Sequence, residues 1–408
     1  MSASPAVRPS YAVVLRVPHA RRTFAAALTG RLSYGIVPLS VMLAVTRSSG
    51  SYPVAGTVMA LFGATVVFLS PARAALVDRY GPRRALVPMT AAYLAMLALL
   101  TAAVARPDAT PVLGVLAAAA GACVPPLGPT MRAVWGRLAP DRALLQRAYS
   151  LDGVAEELLF VAGPLLVGVL VGFAPPAAGI VFGAALMAGG TAGFVSSPAV
   201  RHVRPGKAEA AVRRGGGGLR GLGRPVVAVA GVGLALGVVD LLVVAFAERH
   251  GAGSGGAGVA WVLAALSAGS AVGGLLNGAV AWRTAPGMRL PLLTAGLGVT
   301  LCGAGLAPGL GTLAVAVAVA GFFVSPALTT AYLIADECAA PEARVRAGAW
   351  INTAVNAGST AGTAVAGALA GRLPVGVCFA VTGAAVLLTA ALTSTSRGRG
   401  TSELVPLA

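Results

Sequence analysis

Twelve apolar runs, each of about 20 residues, follow one another along this 408-residue chain, and a run of that length spans a hydrocarbon core of roughly 30 Å as a helix. They fall near 23–46, 53–72, 84–105, 111–131, 150–172, 176–196, 226–247, 258–281, 290–307, 311–334, 348–371 and 375–393. The runs are continuous blocks of Ala, Val, Leu and Gly without a period of two, which excludes a barrel of alternating strands. Helices remain as the way to satisfy a backbone in lipid. With 57% hydrophobic and 11% charged residues, the chain has too little polar surface to coat a soluble globule. The expected class is all-α integral membrane, with twelve transmembrane helices and both termini on one side.

The net charge of +17 raises the question of nucleic acid, but aromatic residues are only 5% and the basic residues are distributed by loop. Loops on the side of the termini carry 25 of the 30 Lys and Arg, and the opposite loops carry 4. That asymmetry marks the retained, cytoplasmic side and predicts cytoplasmic N- and C-termini. The positive charge then serves orientation and attraction to anionic lipid, with the bilayer as partner and no nucleic acid. One lysine against 29 arginines, with abundant Ala and Gly, is the composition of a GC-rich bacterial genome, so the expected location is the bacterial cytoplasmic (inner) membrane. Residues Met1 to Arg22 are polar and basic and precede a run too long for a signal-peptide core, so the first span is read as uncleaved. The four cysteines, Cys123, Cys302, Cys338 and Cys378, are scattered without metal-ligand spacing and read as apolar fillers.

The longest interruption, 197–225, holds seven basic residues around Gly215 to Gly218. It lacks the Lys and Ser/Thr of a nucleotide-binding loop, so it reads as a basic cytoplasmic linker, and no cofactor is expected. It divides the chain into a tail (1–22), a six-helix bundle (23–196), the linker, a second six-helix bundle (226–393) and a C-terminal tail (394–408). The halves share a layout. Pro126 to Gly172 and Pro326 to Gly371 each open at a proline, pass Ala139-Pro140-Asp141 or Ala340-Pro341-Glu342, and enter a Gly-rich span at Ala148-Tyr149 or Ala349-Trp350. Such a repeat about the membrane normal builds a pathway between two bundles.

Between the second and third runs stands Ala74-Ala75-Leu76-Val77-Asp78-Arg79-Tyr80-Gly81-Pro82-Arg83-Arg84. It resembles the G-x-L-x-D-R-x-G-x-R-R signature of the major facilitator superfamily, with Ala74 in place of the first glycine. The resemblance extends from about Arg21 to Thr393 and implies two pseudo-symmetric six-helix bundles. In that family this loop latches one conformation, which implies the same role for Asp78, Arg79, Gly81, Arg83 and Arg84. Gly81 permits a tight turn, and Asp78 can pair with the arginines or face a helix N-terminus. A second segment, Gly163-Pro164-Leu165-Leu166-Val167-Gly168, resembles the glycine-proline signature of the family's drug-exporting antiporters, one of its paired glycines being absent. It implies helix packing through Gly163, Pro164 and Gly168, which ordinary small-residue packing would equally explain. The family's arginine early in the fourth span has no counterpart: Val112 to Pro126 is uncharged, and Arg132 falls at the cytoplasmic end of the run.

Ionisable groups within a span are costly and mark function. Glu156 is the leading candidate for proton coupling, as a desolvated carboxyl that loads and releases a proton. Asp152 shares its helix face four residues earlier, and Asp240 stands beyond the middle of the seventh span. Alternatives are an exposed first-turn acid for Asp152 and an interfacial position for Asp240. Arg31, Tyr34, Asn277, Asn352 and Asn356 are substrate-pathway candidates; for Arg31, snorkelling to the surface competes, and for the other four, helix-to-helix hydrogen bonds are an equal alternative.

The expected function is secondary active transport by alternating access, with proton-coupled efflux of a small hydrophobic or cationic compound in the manner of an antiporter. The alternative is uptake of a small metabolite, and more remotely a scaffold or receptor. No acid, His or metal-ligand cluster supports an enzyme acting on lipid, and neither catalytic nor metal residues are assigned. The chain is expected to act as a monomer.

Overall fold

The computed structural model describes residues 11–106, 110–201, 221–249, 257–370 and 372–394. Most of the basic linker and parts of both tails lie outside these residues. The long helices are α1 (Ala20–Ser49), α2 (Tyr52–Phe68), α3 (Ser70–Tyr80), α4 (Pro82–Val104), α5 (Thr110–Cys123), α6 (Leu127–Leu138), α7 (Arg142–Val171), α8 (Pro176–Ser196), α9 (Gly223–Arg249), α10 (Ala257–Ala279), α11 (Pro286–Ala304), α12 (Leu310–Cys338), α13 (Arg344–Ala370) and α14 (Val375–Ser394). No strand occurs among the described residues.

Among the described residues ten helices, with α5 and α6 counted together as one, are long and apolar enough to cross a membrane, or eleven spans if α2 and α3 are taken as one span bent by 43°. The twelfth expected span is α13, 27 residues long but rich in Asn, Ser, Thr and Gly. The chain is thus an all-α, multi-pass membrane protein. Exposed Leu165, Trp261 and Leu292, an aggregation hazard in water, are what a lipid-facing surface requires.

Two sites expected as loops or ends are helical instead. The segment around Asp78 is α3, joined to α4 by Gly81 alone, because Pro82 starts a new helix at once. Gly81 has φ +83°, where a side chain would be strained. Likewise Pro125-Pro126 does not end the fourth span; α6 resumes and continues to Leu138. Arg132 therefore sits in mid-helix.

The chain forms two compact units, residues up to Leu219 with Ala339–Thr353, and Arg220–Cys338 with the residues from Ala354 onward. In the first, α1 packs against α7 and α8, and α2 against α5. Glycines set the spacing. A Cβ on Gly163 would come within 2.7 Å of the Gly35 backbone, and one on Gly190 would strike Gly30. Phe24 meets Trp135 edge-on at 5.5 Å, closing the core between α1 and α6. In the second unit, α10 packs on α12 and α11 on α14. There a Cβ on Gly233 or Gly237 of α9 would collide with carbonyls of Val355 or Ser359 in α13, and Gly358 and Gly362 return the contact. Backbones brought this close gain dispersion contacts where lipid offers no hydrophobic drive.

Candidate functional site: a buried charge quartet and two broken helices

Four ionisable side chains from three helices meet inside the first unit. Arg31 of α1 lies 2.6 Å from Asp152 Oδ1 and 3.1 Å from Glu156 Oε2, both on α7. Arg132 of α6 approaches Asp152 Oδ2 at 2.9 Å and also pairs with Glu156 Oε2. Arg31 is 1% exposed and Asp152 is fully buried, whereas Glu156 is 23% exposed. Two guanidiniums face two carboxylates, so the group balances in charge, and removing one member leaves an uncompensated buried charge.

Local sequence explains the geometry. Asp141 caps α7 by accepting the Leu144 N–H at 2.7 Å, so the helix starts eight residues before the expected run. Asp152 is therefore well inside it and is not an exposed first-turn acid. Asp152 and Glu156, one turn apart, present both carboxylates to the same pair of arginines. Arg31 does not snorkel, and Arg132, expected at the cytoplasmic end, is 4% exposed. Arg132 thus lies within the fourth span, beyond the proline pair. Glu156 is not an isolated desolvated carboxyl but shares two guanidiniums with Asp152.

The break between α5 and α6 is held by two further side chains. Pro125 has no N–H to offer the Gly121 carbonyl one turn earlier. Arg73 of α3, 6% exposed, donates Nη1–H to that carbonyl and Nη2–H to Val66 O at 2.6 Å. Tyr34 donates its hydroxyl to Pro125 O and accepts the Leu127 N–H at 3.1 Å. Both of these hydrogen bonds run to the backbone at the break. At the α2–α3 bend, Pro71 leaves the Val67 carbonyl without its helical donor, and Thr353 Oγ1–H supplies one at 3.3 Å.

Asp78 accepts the N–H groups of Val345 at 3.2 Å and Arg346 at 2.9 Å, in the first turn of α13. The helix has no side-chain cap of its own there; it follows a single 3₁₀ turn, Pro341–Ala343. Arg79, Arg83 and Arg84 are exposed, Arg79 lying 5.2 Å from the Tyr80 ring centroid.

The remaining candidates do not converge on the quartet. Pro164 is exposed in α7, and a Cβ at Gly168 would meet nothing within 4 Å, so close packing runs through Gly163 alone. Asn277, 2% exposed, sits at the end of α10, where its carbonyl accepts Trp282 Nε1–H at 3.0 Å. Arg289, counted among loop charges, is 3% exposed and lies 5.1 Å from the Trp282 ring centroid. Asp240 is exposed in the second half of α9; Asn352 is half-buried and Asn356 exposed on α13. Arg73 and Arg132 were missed as site residues because they too read as loop arginines. The signal was the proline after each apolar run, which bends or restarts a helix. Among the described residues no group of three or more His, Cys, Asp or Glu could hold a metal.

Residues 23–247 match the model of the Major Facilitator Superfamily. No curated protein matches the sequence. Among solved structures, the human organic anion transporter TETRAN is similar with a TM-score of 0.71 at 15% identity, over 92% of this chain and 99% of that one. A bacterial homologue of the iron transporter ferroportin, in an outward-facing state, gives 0.72 at 12% identity, over 91% and 96%. The E. coli fucose:proton symporter gives 0.67 at 16% identity, over 93% and 99%. At these identities the likeness is one of fold.

Proposed function

Since the chain belongs to the major facilitator superfamily, we propose that it is a secondary active transporter that exports a small, largely apolar compound from the bacterial cytoplasm by alternating access, coupled to protons. The observation that carries this is the charge quartet, four ionisable groups held inside apolar helices at a cost that only function repays. Glu156 is the proton-carrying member, being the one with substantial exposure. Its two guanidiniums change partners as its charge comes and goes. A hydrophobic cargo fits better than a cationic one, because both quartet carboxylates already face guanidiniums.

Asp78 is the latch. It caps a helix whose first ten residues belong to the first unit and whose remainder belongs to the second. A movement of one unit against the other strains that cap. The 23–196 and 226–393 bundles act as the moving parts, and the 25-to-4 division of basic residues supports cytoplasmic termini; with Arg73, Arg132 and Arg289 set aside as buried, it is still 22 to 4.

The neighbours handle, by their names, an organic anion and fucose, and one is a homologue of an iron transporter, so the fold does not choose the cargo. The test is accumulation of fluorescent compounds, cationic, neutral and anionic, in inverted vesicles energised by a proton gradient. Accumulation that a protonophore abolishes is expected. Movement only in the uptake direction would reverse the assigned direction, and no gradient-dependent movement of any compound would refute transport coupled to protons.

A further inference from the structure

We infer that Arg73 is a positioning residue whose guanidinium ties the α2–α3 bend to the α5–α6 break, so that the latch acid Asp78 and the quartet's Arg132 shift together. The tie stands on geometry, and its bearing on the transport cycle rests on the transport reading above. The bend carries Asp78 on its far arm, α3, and the break carries Arg132 on its far arm, α6. One side chain touches both joints. Arg73, 6% exposed in the first turn of α3, gives Nη1–H to Gly121 O in the last turn of α5 and Nη2–H to Val66 O, 2.6 Å away in the last turn of α2.

Each acceptor lies where a helix runs out of donors. Apart from Arg73, Gly121 O has only the Val124 N–H at 3.5 Å, because Pro125 brings none. Among the described residues no carboxylate pairs with Arg73, and the titratable side chains that act on it are Tyr34 and Cys123. The negative ends of α2 and α5 offset its charge instead. Packing alone would be met by a leucine or methionine without burying a charge. A lysine ammonium lacks the planar fork that spans two acceptors. Carbonyls do not titrate, so the tie holds whether or not Glu156 carries a proton. It passes on movement rather than charge.

The two helices before the joints, α2 and α5, pack against each other, which fixes the near sides. If α3 swings about Leu69, the guanidinium must leave Gly121 O or turn the end of α5, and with it the bearing on which α6 resumes at Leu127. Small swings suffice. Asp78 stands nine residues beyond Leu69, about 13.5 Å along the helix, so a swing of about 5° carries it about 1.2 Å. Arg132 stands five residues beyond Leu127, about 7.5 Å, and a swing of about 10° carries it about 1.3 Å. The contacts at the far ends, 2.9 Å from Arg346 N to Asp78 and 2.9 Å from Arg132 Nε to Asp152, do not survive shifts of that size. Thr353 at Val67 O and Tyr34 at Pro125 O steady the two joints separately, but Arg73 alone spans them.

The test is a double-mutant cycle on the full chain in lipid nanodiscs, read as thermal unfolding midpoints. Asp78 bonds α13 and Arg132 pairs with α7, so without a tie their losses would add. Asp78→Ala with Arg132→Gln is expected to lower the midpoint by several degrees less than the sum of the separate losses, because either lesion slackens both joints. In an Arg73→Met background the losses are expected to add, and likewise in Arg73→Lys, where the charge remains and the fork is gone. A merely structural Arg73 would lower every midpoint alike and leave the cycle unchanged. Arg73→Ala is expected to regain both its midpoint and the non-additivity with ethylguanidinium, which refills the fork, and not with ethylammonium. Additive losses in the otherwise native chain would overturn the inference, as would equal rescue by the two cations. So would non-additivity that persists in Arg73→Met, the result expected if Asp78 reaches α6 through the nearby Arg137 instead. If Arg73→Met does not fold, Arg73→Lys decides. In inverted vesicles, the absence of any gradient-driven movement would remove the transport reading and leave the tie standing, whereas additive losses remove the tie and leave transport untouched.

Discussion

Asp78 and Arg346, 268 residues apart in sequence, meet at 2.9 Å, where the carboxylate accepts a backbone N–H in the opening turn of α13. With the Val345 N–H bound by its other oxygen, Asp78 does for this helix what Asp141 does for α7 from the adjoining position. Of the two related helices, one carries its own cap and the other borrows it.

Asp78→Ala is expected to lower stability by about 0.5–2 kcal/mol, the usual loss of a cap, and to depress transport further than that loss explains. Asp78→Asn, which keeps an acceptor but not the charge, should fall between. Unfolding midpoints set beside initial transport rates check this, and full transport by Asp78→Ala would dispose of the latch.

Arg132→Gln strands two carboxylates with one guanidinium and is expected to cost about 3–5 kcal/mol. Adding Glu156→Gln restores the balance of charge, so the double variant should be more stable than Arg132→Gln alone. A double-mutant cycle in denaturant measures the coupling. Additive losses would mean that the two side chains do not interact as described.

Gly163→Ala drives a methyl group toward the Gly35 backbone, 2.7 Å away, and is expected to cost about 1–3 kcal/mol. Gly168→Ala, five residues on and facing open space, should be neutral or stabilising by up to about 1 kcal/mol through helix propensity. Equal effects at the two positions would contradict the packing of α1 on α7.

Tyr34→Phe removes the hydroxyl that bridges Pro125 O and Leu127 N–H, leaving the break only the 2.9 Å hydrogen bond between those two groups. A loss of about 0.5–1.5 kcal/mol is expected, with KM for cargo unchanged. A rise in KM at unaltered stability would place Tyr34 in the substrate pathway.

The spans were legible because run length is set by bilayer thickness, and the turn at Gly81 because few residues tolerate its φ of +83°. The quartet was half legible. Asp152 and Glu156 stand out as acids within an apolar run, but their partners come from other helices, and no spacing announces a tertiary pair. Arg132 was hidden by reading Pro125-Pro126 as a helix end, although α6 resumes two residues later. Arg73 looked like one more basic residue of a cytoplasmic loop. Only the neighbouring carbonyls of Gly121 and Val66, which take up its guanidinium at the two breaks, show why it is buried. Tyr34 was legible only as a polar group in a span, open to a substrate or to a hydrogen bond between helices; the backbone break it bonds is invisible in spacing.

The arrangement at Arg73 also bears on heredity. Its acceptors, the carbonyls of Gly121 and Val66, belong to the backbone, so no change of a partner side chain can delete or recreate them. A selection for revertants of an Arg73 lesion would therefore bypass the usual compensating charge. It would have to recover changes that bring a new donor to those two oxygens from elsewhere, since Pro126 would keep the break open even if Pro125 were replaced.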